Sequence, residues 1–509
     1  MTSAQLPGRG ESLWTATADV APRPPLAGDL RVAAVVVGAG MTGVCAAYEL
    51  QRAGVETVLL DQGTVGGGVT GHTTAKLSAL HGIAYKEIAE LHGATRATSY
   101  ARINARGLER IASLTAEHAI ACDFRRRPAF LYATTAEELD RVEEEAWAAH
   151  EAGLAVEIVE DVPLPFATRG AARLAGQAEF HPLRFVAGLA DAFEAAGGRI
   201  HERTRVTSAH DGEPCTLQTE DGGTVTADHA ILATHIPFAD RALYFARMHP
   251  ERSYALAVRL ASGAVPDGML LSAGSPTRSI RAHPVDGEEL LLVGGDGHKV
   301  GQGPPTAEHY RALEAFAREH WDVAEVSYRW SAQDNMPADA LPYVGPLTPR
   351  SKRTLVATGY RKWGLALGAE AGAMLRDLVL GVDHADADTL DPGRVPPVRA
   401  LRDMAKEGAD FSYRFAVDRL RQRGRASDEL APGEGRVVSL HGRQVALSRD
   451  DDGTVRAVSA RCTHLGCIVA YNDAERSWDC PCHGSRFALD GEVLQGPAVH
   501  PLEPKDPPT

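Results

Sequence analysis

The chain has 509 residues and a formal net charge of −14, with 44% hydrophobic and 24% charged residues. That length suggests about three domains, and the acidity argues against nucleic acid as a partner, because a phosphate backbone would be repelled. No apolar run approaches the ~20 residues needed to cross a bilayer, and residues 1–30 lack the basic start and apolar stretch of a signal peptide, so the expected location is cytoplasmic.

Residues 1–30 read as an N-terminal arm. Val32 to Val37 is a continuous apolar run of the kind expected for a buried parallel strand. Gly38-Ala-Gly40-Met-Thr42-Gly43 follows at once, then a helical pattern to Arg52 and a second strand from Glu56 to Leu60 that ends on Asp61. Strand, glycine turn, helix, strand and acid together make a dinucleotide-binding unit. Its glycines let the backbone approach a pyrophosphate at the helix N-terminus. Asp61, 18 residues after Gly43, is placed to accept a hydrogen bond from the adenosine ribose. At this point FAD and NAD both remain open.

Helical patterns then cover roughly 96–121, 136–152, 183–197 and 306–320, with Thr306 the expected cap of the last. Strand-like runs include Arg199–Thr207, His229–Thr234, Ala255–Leu260 and Leu290–Val293. Asp386 to Leu401 is rich in Asp and Pro and reads as a linker. Residues 402–425 look partly helical and end in a basic stretch, Arg414 to Arg425, read as a solvated helix between domains. Ala431-Pro-Gly-Glu-Gly435 marks a boundary, and 436–509 alternates as a small β domain should.

Seven cysteines are present, four of them within 21 residues near the C-terminus. Cys45, Cys122 and Cys215 are scattered and read as small buried side chains. Cys462-Thr-His464-Leu-Gly-Cys467 is followed by Cys480-Pro-Cys482-His483-Gly-Ser485. Two cysteines and two histidines so arranged suit a [2Fe-2S] cluster in which imidazoles replace thiolates on one iron, with a potential between roughly −150 and +300 mV. Zinc also takes two Cys and two His, but the second cysteine pair, Ser485 and the Gly/Pro pattern weigh against it.

From residue 31 to about 385 the chain resembles the FAD-dependent amine and amino-acid oxidoreductases that include the D-amino-acid and glycine oxidases. The likeness rests on the dinucleotide unit, on Gly66-Gly-Gly-Val-Thr70-Gly71-His72-Thr73-Thr74-Ala-Lys76, on Ala230-Ile-Leu-Ala233-Thr234-His235, and on Asp339-Ala-Leu-Pro342-Tyr-Val-Gly345 with Thr358-Gly359-Tyr360-Arg-Lys362-Trp363-Gly364. It implies FAD rather than NAD, with Gly71, Thr73 and Thr74 along the pyrophosphate and Gly359, Trp363 and Gly364 leading into a helix, Ala369 to Leu380, aimed at the flavin. Gly71–Lys76, Gln177-Ala-Glu-Phe-His181-Pro182 and Lys362-Trp363-Gly364 also resemble bacterial fusions of such a flavoprotein with a C-terminal Rieske domain.

The implied fold is an α/β FAD-binding domain of Rossmann-like, glutathione-reductase type (about 31–95, 176–240 and 336–385). An α+β substrate domain is inserted (about 96–175 and 241–335), a linker covers 386–430, and a small all-β Rieske domain covers 431–509. Relatives commonly hold a substrate carboxylate with a bidentate arginine; Arg278, Arg281 and Arg259 are candidates, with Arg281 preferred. His298 and Lys299 are candidates to face the flavin as proton acceptor and charge, Lys362 is a further catalytic candidate, and His72 is a possible covalent tether.

The C-terminal motifs resemble the Rieske proteins of respiratory and photosynthetic cytochrome complexes. By that match Cys462 and Cys480 bind the buried iron, His464 and His483 the exposed one, and Cys467 and Cys482 form a disulfide. Ser485 donates to a bridging sulfide, and Gly496-Pro497-Ala498 packs over the cluster. The tyrosine usual two residues after that serine is Phe487 here, which implies a potential below the top of the Rieske range. Rieske oxygenases need a large following domain, for which the 26 residues after His483 leave no room.

The expected activity is oxidation of a C–N bond in an amine or amino acid, with electrons passing singly through the cluster to an external carrier. The alternatives are a Rieske-fed flavin reductase and an O2-using oxidase whose Rieske domain is a redox sensor or docking module.

Overall fold

The apolar run near the N-terminus becomes the strand Leu30–Val37, seated between Thr224–Leu232 and Thr57–Leu60, both parallel to it. Parallel strands buried on both faces tolerate only apolar side chains, and Val35, Val36, Leu59 and Ile231 are fully buried. The sheet continues through Thr354–Thr358 to Tyr343–Pro346 on one side and to Arg199–His201 on the other. Helices Met41–Arg52 and Gly364–Leu380 pack against each other over it. Their close approach requires Gly372, where a Cβ would lie 2.7 Å from that of Cys45. This computed structural model describes residues 6–239, 243–408, 430–440 and 442–507.

A second, mixed sheet gathers strands from Lys76–Leu77 to Val323–Pro337. Its backbone is the antiparallel trio Val323–Pro337, Met248–Leu260 and Glu288–Lys299. The C-terminal domain has two small antiparallel sheets, Gly435–Leu440 to Val455–Ser459 and Ala470–Asn472 to Val493–Gln495. Trp478, Phe487, Val469 and Leu502 are the fully buried centre of its core. The fold class is thus the expected one: an α/β dinucleotide domain, an inserted α+β domain and a small β domain. Among the described residues no helix is long and apolar enough to cross a membrane.

Three local expectations need correction. Arg199–Thr207 is two strands, Arg199–His201 and Val206–His210. Buried Glu202 breaks the run by accepting the backbone N–H groups of Val65 and Arg23, each at 2.9 Å. Thr306 does not cap its helix: Pro305 holds that position, and the Thr306 hydroxyl donates to Asn472 at 2.6 Å and to Asp473 at 2.5 Å in the C-terminal domain. The start of the Asp/Pro-rich stretch is a pinned strap, since buried Asp386 pairs with Arg102 and Arg106 and buried Arg394 pairs with Asp339 at 2.7 Å. Residues 398–408 are helical; the basic stretch expected at 414–425 lies outside the described residues.

The C-terminal domain is clamped to the second sheet by buried charge. Arg252, 1% exposed, donates to Glu475 at 2.9 Å and pairs with Asp479 at 2.9 Å. Arg486 pairs with the same two carboxylates, and Ser331 and Tyr310 also donate to Glu475. Arg252→Ala would leave Glu475 and Asp479 with Arg486 but without their partner on the second sheet, and stripping one partner from a buried ion pair costs about 3 kcal/mol or more. Amide hydrogen exchange should therefore speed up across 475–486 and 331–333 in that variant. Equal protection in both proteins would show that the clamp lies elsewhere.

Candidate functional site

The glycine turn is shaped for close approach. Gly38 has φ +103°, and a Cβ there would sit 2.4 Å from the Ala233 carbonyl. A Cβ on Gly43 would lie 1.7 Å from the Gly38 carbonyl, so this third glycine sets strand–helix packing. Gly40 occupies the helix N-cap and brings no side chain, leaving the first turn open to an anion. Asp61 accepts the N–H groups of Ala39 at 2.6 Å and Gly63 at 2.7 Å, and burial raises its carboxyl above the usual range.

These residues open on a cavity of about 900 Å³. Gly38, Gly40, Thr42 and Asp61 line it, as do Thr73, Thr74, Trp363 and Gly364. Gly43, Gly71 and Gly359 are not on its wall. Gly71 is buried with its carbonyl accepting the Ser12 hydroxyl at 2.5 Å, and Gly359, at φ +80°, packs on Pro337 and Met248. They shape the wall from behind. The N-terminal arm has the same role, since Trp14 donates its indole N–H to the Thr73 carbonyl at 2.6 Å. His72 lines the cavity, hydrogen-bonded through Nδ1 to the Gly68 carbonyl, and burial lowers its pKa.

The expected arginine clamp does not reach this cavity. Arg281 is fully buried behind it, held by the Ala75 carbonyl, His283 at 3.0 Å and Glu179 at 3.7 Å. Arg278 is taken by Asp296 at 2.9 Å, and half-exposed Arg259 pairs with Glu288 and Glu325 on the outer surface. His298 is likewise off the wall, stacked on His309 with ring centroids 4.3 Å apart and bonded to Tyr254 at 2.9 Å. Lys299 pairs with Glu407 in the strap.

Lys362 does line the cavity, with its ammonium 2.9 Å from Glu251. Two acids that the sequence reading missed stand beside it, Glu251 and Asp334. Burial alone would raise the Glu251 carboxyl, but His249 and Lys362 outweigh it and hold it at about 2. Burial lifts Asp334 to about 6, opposed by Lys362 and assisted by Glu251.

The C-terminal motifs form two matching loops. Cys462 donates its N–H to the Cys467 carbonyl and accepts that of Gly466; Cys480 does the same with Ser485 and Gly484. The Cys467–Cys482 disulfide pins the loops together. The Cys462 and Cys480 thiols are buried and share a hydrogen bond, which lowers the first and raises the second. The His464 and His483 rings are 5.0 Å apart, and Phe245 of the N-terminal half meets both edge-on at 5.6 and 5.0 Å. Two facing thiols and two facing imidazoles on braced loops suit the donor set of a mixed-ligand [2Fe-2S] cluster. Ser485 is fully buried and hydrogen-bonds toward Cys462, while its oxygen accepts the Ala498 N–H at 3.0 Å.

The same domain also walls the other site. Arg486, Leu494, Gln495, Gly496, Ala498 and Val499 line the same cavity as the glycine turn. Gln62 and Arg205 donate to the Leu494 and Val493 carbonyls at 3.4 and 2.9 Å.

The profile of the family described as FAD dependent oxidoreductase matches residues 33–378. The chain belongs to that family. A second profile, the Rieske [2Fe-2S] domain, matches residues 422–505. The protein is thus an FAD-dependent oxidoreductase with a Rieske domain, and its cofactors are FAD and a [2Fe-2S] cluster. It is 34% identical over 497 residues, 97% of each chain, to the Rieske 2Fe-2S iron-sulfur protein YhfW of Bacillus subtilis (strain 168). The Rieske domain is 40% identical over 80 residues to the cytochrome b6-f complex iron-sulfur subunit of Chlorobaculum thiosulfatiphilum, spanning 16% of this chain and 43% of that one. The flavoprotein part is similar in fold to glycine oxidase from Geobacillus kaustophilus (TM-score 0.61, 21% identity, 72% of this chain and 99% of that one). L-proline dehydrogenase from P. horikoshii is likewise similar in fold (TM-score 0.61, 15% identity, 72% and 97%).

Phe487 is fully buried and offers no hydroxyl, so Ser485 is the side-chain donor of this pair. Donors to cluster sulfur raise the potential. Ser485→Ala should lower the midpoint, and Phe487→Tyr should raise it toward the upper part of the roughly −150 to +300 mV range. A redox titration followed by electron spin resonance measures both.

Proposed function

We propose that the chain is a dehydrogenase that oxidises a C–N bond of an amine or amino acid and passes the electrons singly to an external carrier. When bound, FAD supplies two-electron oxidation and the cluster supplies one-electron transfer. Gly38, Gly40, Thr42, Asp61, Thr73 and Thr74 would hold the flavin nucleotide, and Cys462, Cys480, His464 and His483 the cluster. Trp363 and Gly364 start the helix whose partial positive charge favours an anionic ring.

One observation carries this reading. Arg486 and the segment 494–499 of the Rieske domain are part of the wall of the cavity onto which the dinucleotide turn opens. A sensor or docking module has no need of that position, and an oxidase that reduces O2 needs no second centre at all. The two imidazoles also differ in access. His483 is buried against Phe245, whereas His464 is partly buried beside Leu465, itself 38% exposed. That leaves an external carrier one open approach. The fold neighbours glycine oxidase and L-proline dehydrogenase support the C–N class by analogy.

Anaerobic substrate should bleach the flavin and then produce the electron spin resonance signal of a reduced Rieske cluster. Cys462→Ser should keep the bleaching, lose the signal, and bring turnover with a one-electron acceptor to background. Fast peroxide release with a silent cluster would instead favour an oxidase, and reduction only by an external donor would favour the reverse flow.

A further inference from the structure

The wall of the cavity opposite the glycine turn is built from the second sheet, and its charges say what it can hold. Glu251 and Asp334 are direct cross-strand partners in the antiparallel pair Met248–Leu260 and Val323–Pro337. Opposite residues of such a pair project from the same face, and both line the cavity. The Lys362 ammonium pairs with Glu251 at 2.9 Å, its backbone N–H bonds to Asp334, and His249 is the next group at 3.4 Å from Glu251. With His249 neutral, two carboxylates face one ammonium and the cluster is net negative.

Among the described residues, the other lysine and arginine side chains around the cavity are already engaged. Lys76 is buried, donating to the Leu270 carbonyl and the Ser279 hydroxyl. Arg486 is held by Glu475 and Asp479, and Arg205 by Glu220 and the Val493 carbonyl. The three arginines expected to clamp a carboxylate lie off the cavity, as described above. A substrate carboxylate placed here would meet like charge, which is strongly disfavoured in a low-dielectric site. A substrate ammonium would meet its counter-charge.

We propose that the substrate is an amine without an α-carboxylate, bound as its cation at the Glu251–Asp334 pair, with Asp334 taking a proton from the substrate nitrogen. The proposal rests on the C–N reading above and narrows it. In the proton step one N–H bond of the ammonium breaks and one O–H bond forms on Asp334. A cation and an anion become two neutral groups, and no electrons change hands. Glu251, paired with Lys362, stays ionised and anchors the cation. The two acids are set apart in proton affinity, about 2 and about 6, which is the pattern of a fixed charge beside an exchangeable one.

The test uses the FAD-loaded full chain and two ligands of one shape and opposite charge, tert-butylammonium and pivalate. Neither has a hydrogen on the carbon beside the charged group, so neither is oxidised there. Titrations followed by the flavin absorption spectrum should show tert-butylammonium binding about a hundredfold more tightly than pivalate. Its affinity should fall as pH drops through about 6, where Asp334 loses its charge, and should weaken clearly in Asp334→Asn. Anaerobic flavin reduction should be about a hundredfold faster with 2-phenylethylamine than with phenylalanine, and with cadaverine than with lysine. At pH 7, Asp334→Asn should slow reduction by the amines about a hundredfold, the usual share of a positioned base.

Tighter binding of pivalate, or faster reduction by the amino-acid members, overturns this inference and leaves the C–N reading standing. No reduction by either member of the pairs overturns both. Unchanged amine binding and reduction in Asp334→Asn removes Asp334 from the role. The wild-type comparisons decide the substrate class whether or not that variant folds.

Discussion

The arrangement depends on Arg252. Its guanidinium is buried on a strand of the substrate domain, and both of its carboxylate partners, Glu475 and Asp479, belong to the Rieske domain. A buried charge left unpaired is expensive, whereas a paired and hydrogen-bonded one is tolerated. The undocked state must therefore rehydrate several charges at once, and intermediate placements satisfy few of them. Gln333 reinforces this by donating to the Gly484 carbonyl at 2.8 Å, directly beside His483. The clamp thus sets the orientation of the cluster loops relative to the flavin cavity.

Much of the arrangement is legible in the sequence where the signals are local. The apolar run, glycine turn and terminal acid sit within one short segment, and backbone sterics allow little else there. The Cys/His loops are equally readable, because few residue types ligate iron and each loop supplies its ligands within a few residues. The register of long strands is not readable in this way. Arg252 and Arg281 both lie in strands, and composition gives no reason to send one to the interface and the other behind the cavity. The pairing of Glu251 with Asp334 needs the alignment of two strands distant in sequence. Thr306 fails for a related reason: a hydroxyl at a helix start reads as a cap that accepts a helix N–H, but here its oxygen accepts the Ala474 N–H at 3.1 Å from the domain docked above it.

The shared wall has a thermodynamic consequence. Leu494, Gln495 and Val499 line the cavity when the Rieske domain is docked, with Leu494 held by Gln62 and Val493 by Arg205. A ligand that touches both domains favours the docked form by mass action, and by reciprocity docking favours the ligand. For such a ligand, retention and domain docking are two faces of one equilibrium. The same coupling separates this architecture from a tethered electron carrier. A tether needs an interface it can leave without penalty, and here departure would uncover the flavin cavity and strip Arg252 of its partners together.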